Sequence, residues 1–361
     1  MRLQTKTSTY SLSSRDLAVM GQLKIGINEL TDLSLKQPGL PPLWSRIPYL
    51  MLLLDPGTET RFFWKEYRLF DALLKTRDHH YGHSRIPKAN GELRDLRVPD
   101  WILRQHQNFI LKNILYKIPV SEHACAYHKH RGLTDLAQPH IGHQTLIHLD
   151  IKDFFSSITE QMVFEALVRE TGYPQSVAGF LSRLCCYKHY LPQGACTSPA
   201  ISNICFKQCD DQIAALAKQN NLSYTRYSDD IYLSGNNVDP QRIIHEVEDL
   251  VSFYGFKVNS RKTRILGKHQ AQKVTSIVVN EKMQVPREYR RKLRQEIYYL
   301  TRFEENAHGA QASDDYQRYL NQLLGKVSYV LYVDPTNKEF KKARRFLEER
   351  IYPRYFYRFP F

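Results

Sequence analysis

Through the middle of the chain, apolar and polar residues repeat with the periods of short strands and long helices. Residues 145–155, TLIHLDIKDFF, begin as an almost unbroken apolar run, which predicts a buried strand leading into a turn. In YTRYSDDIYLS, bulky and polar residues alternate on both sides of Asp229 and Asp230, which predicts a β-hairpin with the two aspartates at its tip. Both segments therefore carry aspartates at the predicted ends of strands.

Helical spacing accounts for most of the remaining chain. Helices are predicted over 61–80, 100–118, 161–170, 177–187 and 240–255, and over a long stretch that follows the loop at 191–199. Gly255 suits the C-terminal cap of one of them. Asn90 and Gly91 are typical of a two-residue hairpin turn between strands, and short strands are also predicted over 256–266 and 273–280.

A basic helix is predicted from Pro286, because proline suits the first position of a helix. One stripe of this helix is apolar and predicts core packing: Tyr289, Leu293, Ile297 and Leu300. The other face is basic and carries Arg287, Arg290, Arg291, Lys292 and Arg294. A run of charge is usually just solvated, so a binding role depends on what the rest of the chain does.

Composition indicates a large folded protein with a polyanionic partner. The chain has 361 residues, a formal net charge of +14, 42% apolar residues and 12% aromatic residues, which argues against disorder. Nucleic acid is the favoured partner because binding to phosphates releases counterions; a membrane surface is the alternative. The longest apolar run, 47–54, is too short to cross a bilayer, and the first residues do not resemble a signal peptide. We therefore expect a cytoplasmic protein.

The six cysteines do not predict a disulfide framework, because no Cys-x-x-Cys occurs and the protein is expected in a reducing compartment. The stretch 123–130, HACAYHKH, groups three histidines and a cysteine. Its spacing matches no common zinc pattern, so solvated or RNA-facing histidines are favoured over a metal site.

The predicted strand ends carry the candidate chemistry. Asp150 follows a strand too apolar for a surface loop, and a buried carboxylate is costly unless something pairs with it. Carboxylates that converge from separate strands suit Mg²⁺, which prefers hard oxygen ligands and takes substrate phosphates as further ligands. Two such ions about 4 Å apart can activate a hydroxyl and stabilise leaving pyrophosphate. The alternative for Asp229 and Asp230 alone is a solvated turn.

Three motifs, in order, resemble the palm motifs of reverse transcriptases: LDIKDFF at 149–155, LPQGACTSP at 191–199 and YSDD at 227–230. IPKANGELR precedes them and NSRKTRI follows them. The resemblance implies an α+β right-hand polymerase with fingers, an antiparallel palm sheet backed by helices, and a helical thumb. It divides the chain into an N-terminal extension over 1–60, fingers and palm over 61–280, and a basic thumb over 281–361.

Two further segments are similar to elements of bacterial retron reverse transcriptases. LAQPHIG, 136–142, resembles their Asn-Ala-x-x-His element with Leu136 in place of Asn, and VTSIVVN, 274–280, resembles their Val-Thr-Gly element with Ser276 in place of Gly. Group II intron reverse transcriptases and other defence-associated reverse transcriptases are the alternatives. The chain shows no obvious endonuclease module, which argues against a mobile intron protein.

The resemblance assigns roles to individual residues. It assigns catalysis and the binding of two Mg²⁺ ions to Asp150, Asp229 and Asp230, with the backbone carbonyl of Ile151 as a further metal ligand. It assigns nucleotide contacts to Lys88, Arg94, Phe155, Gln193, Gly194 and Lys262. It assigns nucleic-acid contacts to His140, Thr275, Arg287, Arg290, Arg291 and Arg294.

Several of these residues have simpler alternatives. Phe155 matches the bulky residue beneath the incoming sugar, where it excludes a ribonucleotide 2′-OH, but it could be core packing. Lys88 and Arg94 match the basic residues that clamp the triphosphate, but could be solvated charges of a hairpin. Lys262 matches a lysine that protonates pyrophosphate, but could be a surface lysine. Asp153 is left out of the catalytic set as a local cap.

The resemblance implies an RNA-directed DNA polymerase that uses Mg²⁺ and dNTPs. Its partners would be a structured non-coding RNA, the single-stranded DNA made from it and an effector protein of the same anti-phage locus, with no membrane. Priming from a 2′-OH of the RNA would give a branched product. The alternative from another functional class is a non-catalytic RNA-binding scaffold, which the intact set of three aspartates opposes because unpaired buried carboxylates are a liability.

Overall fold

We describe a computed structural model of the chain. It describes residues 2–4, 9–11, 75–87, 91–128, 131–173, 175–303 and 314–352. Most of the predicted N-terminal extension, most of the helix predicted over 61–80 and the site residue Lys88 lie outside these ranges.

A four-stranded antiparallel sheet forms the centre of the fold. Its strands are β5 (Thr145–Asp150), β6 (Ser223–Tyr227), β7 (Asp230–Gly235) and β8 (Arg264–Gly267), in the spatial order β6-β7-β5-β8. Hydrogen-bond register sets Asp150 opposite Asp230 and His148 opposite Tyr232. The predicted hairpin and the predicted buried strand are therefore neighbours, and the two acidic ends meet at one edge of the sheet.

The other strands form three hairpins. They are β1 (Arg2–Gln4) with β2 (Thr9–Ser11), β3 (Tyr81–Pro87) with β4 (Leu93–Pro99), and β9 (Lys273–Val274) with β10 (Ile277–Val278). The hairpin predicted at Asn90-Gly91 is confirmed, but five residues separate its strands in place of two. The strand predicted over 256–266 is mostly wrong, because only its last residues pair with the sheet.

Ten α-helices in the described residues surround the sheet. They are α1 (Trp101–Asn113), α2 (Leu133–Ala137), α3 (Phe154–Ser157), α4 (Glu160–Thr171), α5 (Gln175–Cys185), α6 (Ser198–Gln219), α7 (Pro240–Phe253), α8 (Arg287–Phe303), α9 (Asp314–Val333) and α10 (Lys338–Ile351). Local sequence fixes several ends: Asp239 caps α7, whose first residue is Pro240, and Gly255 follows it with φ 81°.

The two faces of the sheet pack into different cores, because side chains alternate along a strand. Ile147, Leu149, Ile231 and Leu233 join the larger core with α4, α5, α6 and α7. Leu146 and Tyr232 join a second core with α8, α9 and α10, where Leu293 and Leu300 confirm the predicted apolar stripe of the basic helix. The sheet thus links a mixed body to a helical C-terminal part, as the predicted α+β architecture requires.

Candidate active site

The three aspartates meet where β5 ends and β7 begins. Asp150 lies opposite Asp230, while Asp229 occupies the two-residue turn between β6 and β7. The backbone N–H of Ile151 donates to the carbonyl of Asp229 at 2.8 Å, which ties the turn to the end of β5. Ile151, whose backbone carbonyl is the predicted metal ligand, is the residue that makes this bond.

Asp150 is almost fully buried and is held by two side chains. Lys262 Nζ lies 2.7 Å from Asp150 Oδ2, and Asn259 Nδ2 donates to Oδ1 at 3.3 Å. The hydrogen bond from Lys262 to Asp150 raises the pKa of the lysine, so Lys262 is a cation at neutral pH. Lys262 is itself more than half exposed, so it can leave Asp150 without a large cost.

Asp229 has an electrostatic environment that favours a cation from outside. Burial raises the pKa of its carboxyl, and the negative charges of Asp230 and Asp150 raise it further. Carboxylate oxygens are hard ligands of the kind that Mg²⁺ prefers. The donor chemistry and the excess of negative charge therefore fit a divalent cation at this edge of the sheet.

The carboxylates do not form a finished cage. Across the described ranges, no three His, Cys, Asp or Glu side chains are grouped so that they could hold a metal ion as they stand. Asp150 is turned towards Lys262, and Asp230 is turned towards His148, whose Nε2 lies 2.7 Å from Asp230 Oδ1. Cation binding would therefore require side-chain rotation, above all at Asp150.

A buried arginine holds the turn that carries Asp229. Ser228 has φ 58°, a left-handed conformation that is unusual for a residue other than glycine. Its carbonyl accepts a hydrogen bond of 2.8 Å from Arg226 Nη1. Arg226 is fully buried and makes a two-point ion pair with Asp210 of α6, at 2.7 and 2.6 Å. The strained turn is thus anchored from inside the protein.

The two adjacent phenylalanines after β5 differ in role. Phe154 is buried and packs on Phe206 and Phe256 of the larger core. Phe155, the predicted residue beneath the sugar, is half-buried, and its ring faces that of Tyr127 at 6.5 Å. Tyr127 has φ 60°, and its hydroxyl lies 3.2 Å from Ser228 Oγ, so it joins Phe155 to the acidic turn.

The β3–β4 hairpin docks on the loop of Gln193 and Gly194. The backbone N–H of Arg97 donates to the carbonyl of Gln193 at 2.8 Å. Gly194 has φ 117°, and a Cβ there would lie 2.9 Å from the carbonyl oxygen of Arg97. This contact by itself requires glycine, and the predicted contact of Gly194 with the nucleotide stays a prediction. Arg94 is exposed on the same hairpin, which fits both the predicted phosphate contact and the alternative of a solvated charge.

Comparison with known proteins identifies the family. The family model described as "Reverse transcriptase (RNA-dependent DNA polymerase)" matches residues 86–284, more than half of the chain. The retron Ec86 reverse transcriptase of Escherichia coli is 32% identical over 260 residues, which cover 70% of this chain and 79% of that protein. The chain belongs to the retron reverse transcriptases.

Two further similarities accompany this match. The retron Mx65 reverse transcriptase of Myxococcus xanthus is 31% identical over 290 residues, covering 75% of this chain and 65% of that protein. Among solved structures, telomerase from Candida albicans is similar with a TM-score of 0.44 and 9% identity, covering 81% of this chain and 67% of that chain. Membership of the family makes the protein an RNA-directed DNA polymerase with an α+β polymerase fold, in which the central sheet is the palm.

His140 lies in the interior of this reverse transcriptase. Its ring is fully buried, with Nδ1 2.7 Å from Ser234 Oγ and Nε2 2.7 Å from Thr225 Oγ1. The prediction that His140 contacts nucleic acid therefore needs correction, because both ring nitrogens are bonded to hydroxyls of the palm sheet. Burial, with a smaller effect of His143, lowers the pKa of His140 to about 3, so the ring is neutral.

Thr275 and the basic helix face different surroundings. The backbone N–H of Thr275 donates to the hydroxyl of Tyr232 at 3.0 Å, so this segment contacts the palm sheet directly.

Arg287 and Arg291 are exposed on α8, as predicted for contacts with a duplex. Arg290 donates to the carbonyl of Val285, and Arg294 is paired with Glu339 of α10, which makes these two partly structural. Contacts of Thr275 and of the four arginines with nucleic acid stay predictions.

The stretch 123–128 supports the palm sheet. The backbone of His123 and Cys125 bonds to that of Arg226, and Cys125 is buried. Asp153 precedes α3 with φ 50°, but its side chain makes no capping hydrogen bond, so it is not the side-chain cap that the sequence suggested. No helix in the described part of the chain is long and apolar enough to cross a membrane.

Sequence reasoning missed His148, Asn259, Tyr127 and Arg226. Arg226 gave a signal, since a basic residue in a strand with buried neighbours needs an acidic partner. His148 also gave a signal. It lies two residues before Asp150 on the same strand, so the two side chains point to the same face of the sheet. Tyr127 and Asn259 depend on long-range contacts that no local pattern shows.

Proposed function

We propose that this reverse transcriptase copies a structured RNA of its own locus into single-stranded DNA at a site that holds two Mg²⁺ ions. DNA synthesis would begin at a 2′-OH of the RNA, which gives a branched RNA–DNA product. The observation that carries the catalytic part is the meeting of Asp150, Asp229 and Asp230 at one edge of the palm sheet, with a net negative charge that the protein leaves uncompensated. The retron relatives support the RNA-primed part.

The residues divide the work of nucleotidyl transfer. Asp150 and Asp229 would hold the cations, with the carbonyl of Ile151 beside them. When bound, the ions activate the primer hydroxyl and stabilise the leaving pyrophosphate. Lys262, released from Asp150 as that carboxylate turns to the cations, would remain close enough to donate a proton to pyrophosphate.

The substrate contacts that we propose follow from the resemblance of these residues to reverse-transcriptase motifs. The half-buried ring of Phe155 would pack beneath the incoming sugar and exclude a 2′-OH. Arg94 and Lys88 would bind the triphosphate, and Gln193 would contact the nucleotide or template. Arg287 and Arg291 would bind the phosphates of the template–primer duplex without reading its sequence.

We further propose that the enzyme acts in the cytoplasm with an effector protein of the same locus, in defence against phage. The RNA template and its DNA product would then form part of a complex that the effector recognises. The relatives support this proposal only through the retron class to which they belong.

Expression with the native flanking locus tests the retron part. The purified protein should carry one dominant small RNA joined to a discrete single-stranded DNA. The specific RNA should stay bound through a salt wash that removes other RNA. Contacts to its shape and 2′-OH groups add to the electrostatic affinity, which salt weakens. After RNase digestion, a short RNA remnant should remain at the 5′ end of the DNA and should be removed by a 2′,5′-debranching enzyme.

Asp229→Asn expressed from the same locus is the matched control, and it should retain the RNA but lack the DNA. A mixed pool of cellular RNA, or DNA begun from a 3′-OH without a branch, would contradict the proposal. The chain would then be a reverse transcriptase of another class, and the departures at Leu136 and Ser276 would be relevant to the difference.

A further inference from the structure

His148 is a half-buried histidine on the same strand face as the metal edge. It lies on β5 two residues before Asp150, so their side chains point to the same side of the sheet. Its cross-strand neighbour on β7 is Tyr232, and Asp230 lies two residues before that tyrosine. His148 therefore stands at the base of the acidic edge, beside two of its three aspartates.

The histidine contacts Asp230 directly and is fixed from its other side. Its Nε2 lies 2.7 Å from Asp230 Oδ1, and its ring stacks on that of Tyr232 with 4.7 Å between centroids and 8° between planes. The hydroxyl of Tyr232 accepts the backbone N–H of Thr275 at 3.0 Å. Because the tyrosine is held at its far end, the stacked imidazole has little freedom to turn away from Asp230.

This contact makes the two adjacent aspartates unequal. Asp230 has one oxygen occupied by an N–H donor, which leaves Oδ2 for a cation or water. The charges that bear most on Asp229 are instead those of the neighbouring carboxylates. Asp150 is held by an exposed lysine, whereas Asp230 is held by a half-buried ring that stacks on Tyr232 of the second core.

We propose that His148 is a positioning residue that holds Asp230 through Oδ1, so that Asp150 and Asp229 provide the main cation ligands and Asp230 supports them from a fixed orientation. The inference rests on the proposed two-metal function. Hydrogen bonds to the carboxylates of a metal site orient them, and losing such a partner typically costs 10- to 100-fold in metal affinity or activity.

Two substitutions separate the hydrogen bond from the ring stack. His148→Phe keeps an aromatic ring against Tyr232 but removes the N–H donor. His148→Gln keeps an N–H donor of similar reach but removes the ring. His245→Phe, on the exposed surface of α7, is the control for the chemical change itself.

Three quantities are measured for each protein: the affinity for Mn²⁺ by calorimetry without nucleic acid, kcat for primer extension, and KM for the dNTP. We expect His148→Phe to weaken Mn²⁺ binding and lower kcat by about 10-fold each, with KM within about twofold of wild type. His148→Gln should recover most of both losses, and His245→Phe should match the wild-type protein.

If His148→Phe kept Mn²⁺ affinity and kcat near wild type while His148→Gln lost them, His148 would act through packing alone. That result would overturn the inference. Wild-type values for both variants would overturn it as well. Failure of the wild-type protein to extend a primer or to bind Mn²⁺ would instead contradict the proposed function, so the two failures are distinguishable. Thermal unfolding of each variant excludes loss of fold as the cause.

Discussion

Two carboxylates close to the same hairpin have opposite surroundings. Asp210 of α6 is fully buried, yet both its oxygens bond to Arg226 and one also accepts the hydroxyl of Tyr224 at 2.5 Å. Asp229, in the turn that Arg226 supports, is half-buried, and its charged neighbours are mainly acidic. One carboxylate is compensated by the protein, and the other is not.

The difference separates a structural carboxylate from a functional one. A buried charge is tolerated when a partner and hydrogen bonds satisfy it, and then its loss costs stability. A carboxylate kept beside other carboxylates costs stability in the free protein and is maintained for a cation that arrives with the substrate. Disrupting the Arg226–Asp210 pair should therefore lower stability. Removing the carboxylate of Asp229 should instead lower activity without lowering stability.

The largest expected effect is the loss of activity in Asp229→Asn. Removing one cation ligand should lower kcat for primer extension by about 10³-fold or more, which corresponds to roughly 4 kcal/mol of barrier. Stability should be unchanged or higher, because a raised folded-state pKa means that the ionised carboxylate disfavours the fold at neutral pH. Primer extension measures the loss of activity, and denaturant unfolding measures the stability. Near-normal extension with Mg²⁺ would contradict the metal role.

Breaking the compensated pair should instead cost stability. Arg226→Met leaves Asp210 buried without its cation, which should lower the free energy of unfolding by about 3–5 kcal/mol. Arg226→Met combined with Asp210→Leu should recover part of that loss, because no charge is then left unpaired. Urea unfolding of the two proteins is the measurement. A single variant as stable as wild type would mean that the pair does not anchor the turn.

The buried His140 should make stability depend on pH. Its folded-state pKa of about 3 lies below the value of about 6.5 in an unfolded chain. The unfolded state therefore takes up the proton first as pH falls, and stability declines below pH 6.5, by about 3 kcal/mol at pH 4. His140→Gln should remove this decline, whereas the exposed His269→Gln should keep it. Equal pH profiles in wild type and His140→Gln would exclude the buried imidazole as the cause.

Phe155→Val should have the smallest of these effects, on substrate choice. A smaller side chain leaves room for a 2′-OH, so the ratio of kcat/KM for dGTP to that for rGTP should fall by about 10- to 100-fold, or about 1–3 kcal/mol. Phe154→Val is the matched control, because that ring is buried in the larger core and its truncation should lower stability without changing the ratio. Unchanged discrimination in an active Phe155→Val protein would assign Phe155 to packing.

Local patterns predicted the elements of the site but not their contacts. The apolar run before Asp150 and the alternation around Asp229 predicted two strands correctly, because burial and strand period are local properties. Their register was not predictable, and it is register that brings His148 to Tyr232 and Asp150 to Asp230. The inward orientation of His140 was missed for the same reason, since its partners Thr225 and Ser234 lie on the distant hairpin.

Loop conformations were also beyond local reasoning. The resemblance assigned Gly194 a nucleotide contact, but the group that approaches its backbone in the structure is Arg97, nearly a hundred residues earlier in the chain. Residues 256–263 were predicted as part of a strand, yet they form turns and one isolated bridge, at Val258, beside Asp150. Their backbone bonds to that of 150–152, which fixes Asn259 and Lys262 beside the catalytic edge.

The central claim is that the acidic edge, whose charge Lys262 compensates only in part, is a site for divalent cations, and cation-dependent stability tests it most directly. A ligand that binds only the folded state raises stability, by about 2.7 kcal/mol at a hundred times its Kd. Mn²⁺ should therefore raise the thermal unfolding midpoint of the wild-type protein, and Asp229→Asn should lose most of that shift while keeping its fold. An equal shift in both proteins, or no shift in the wild type, would contradict the account.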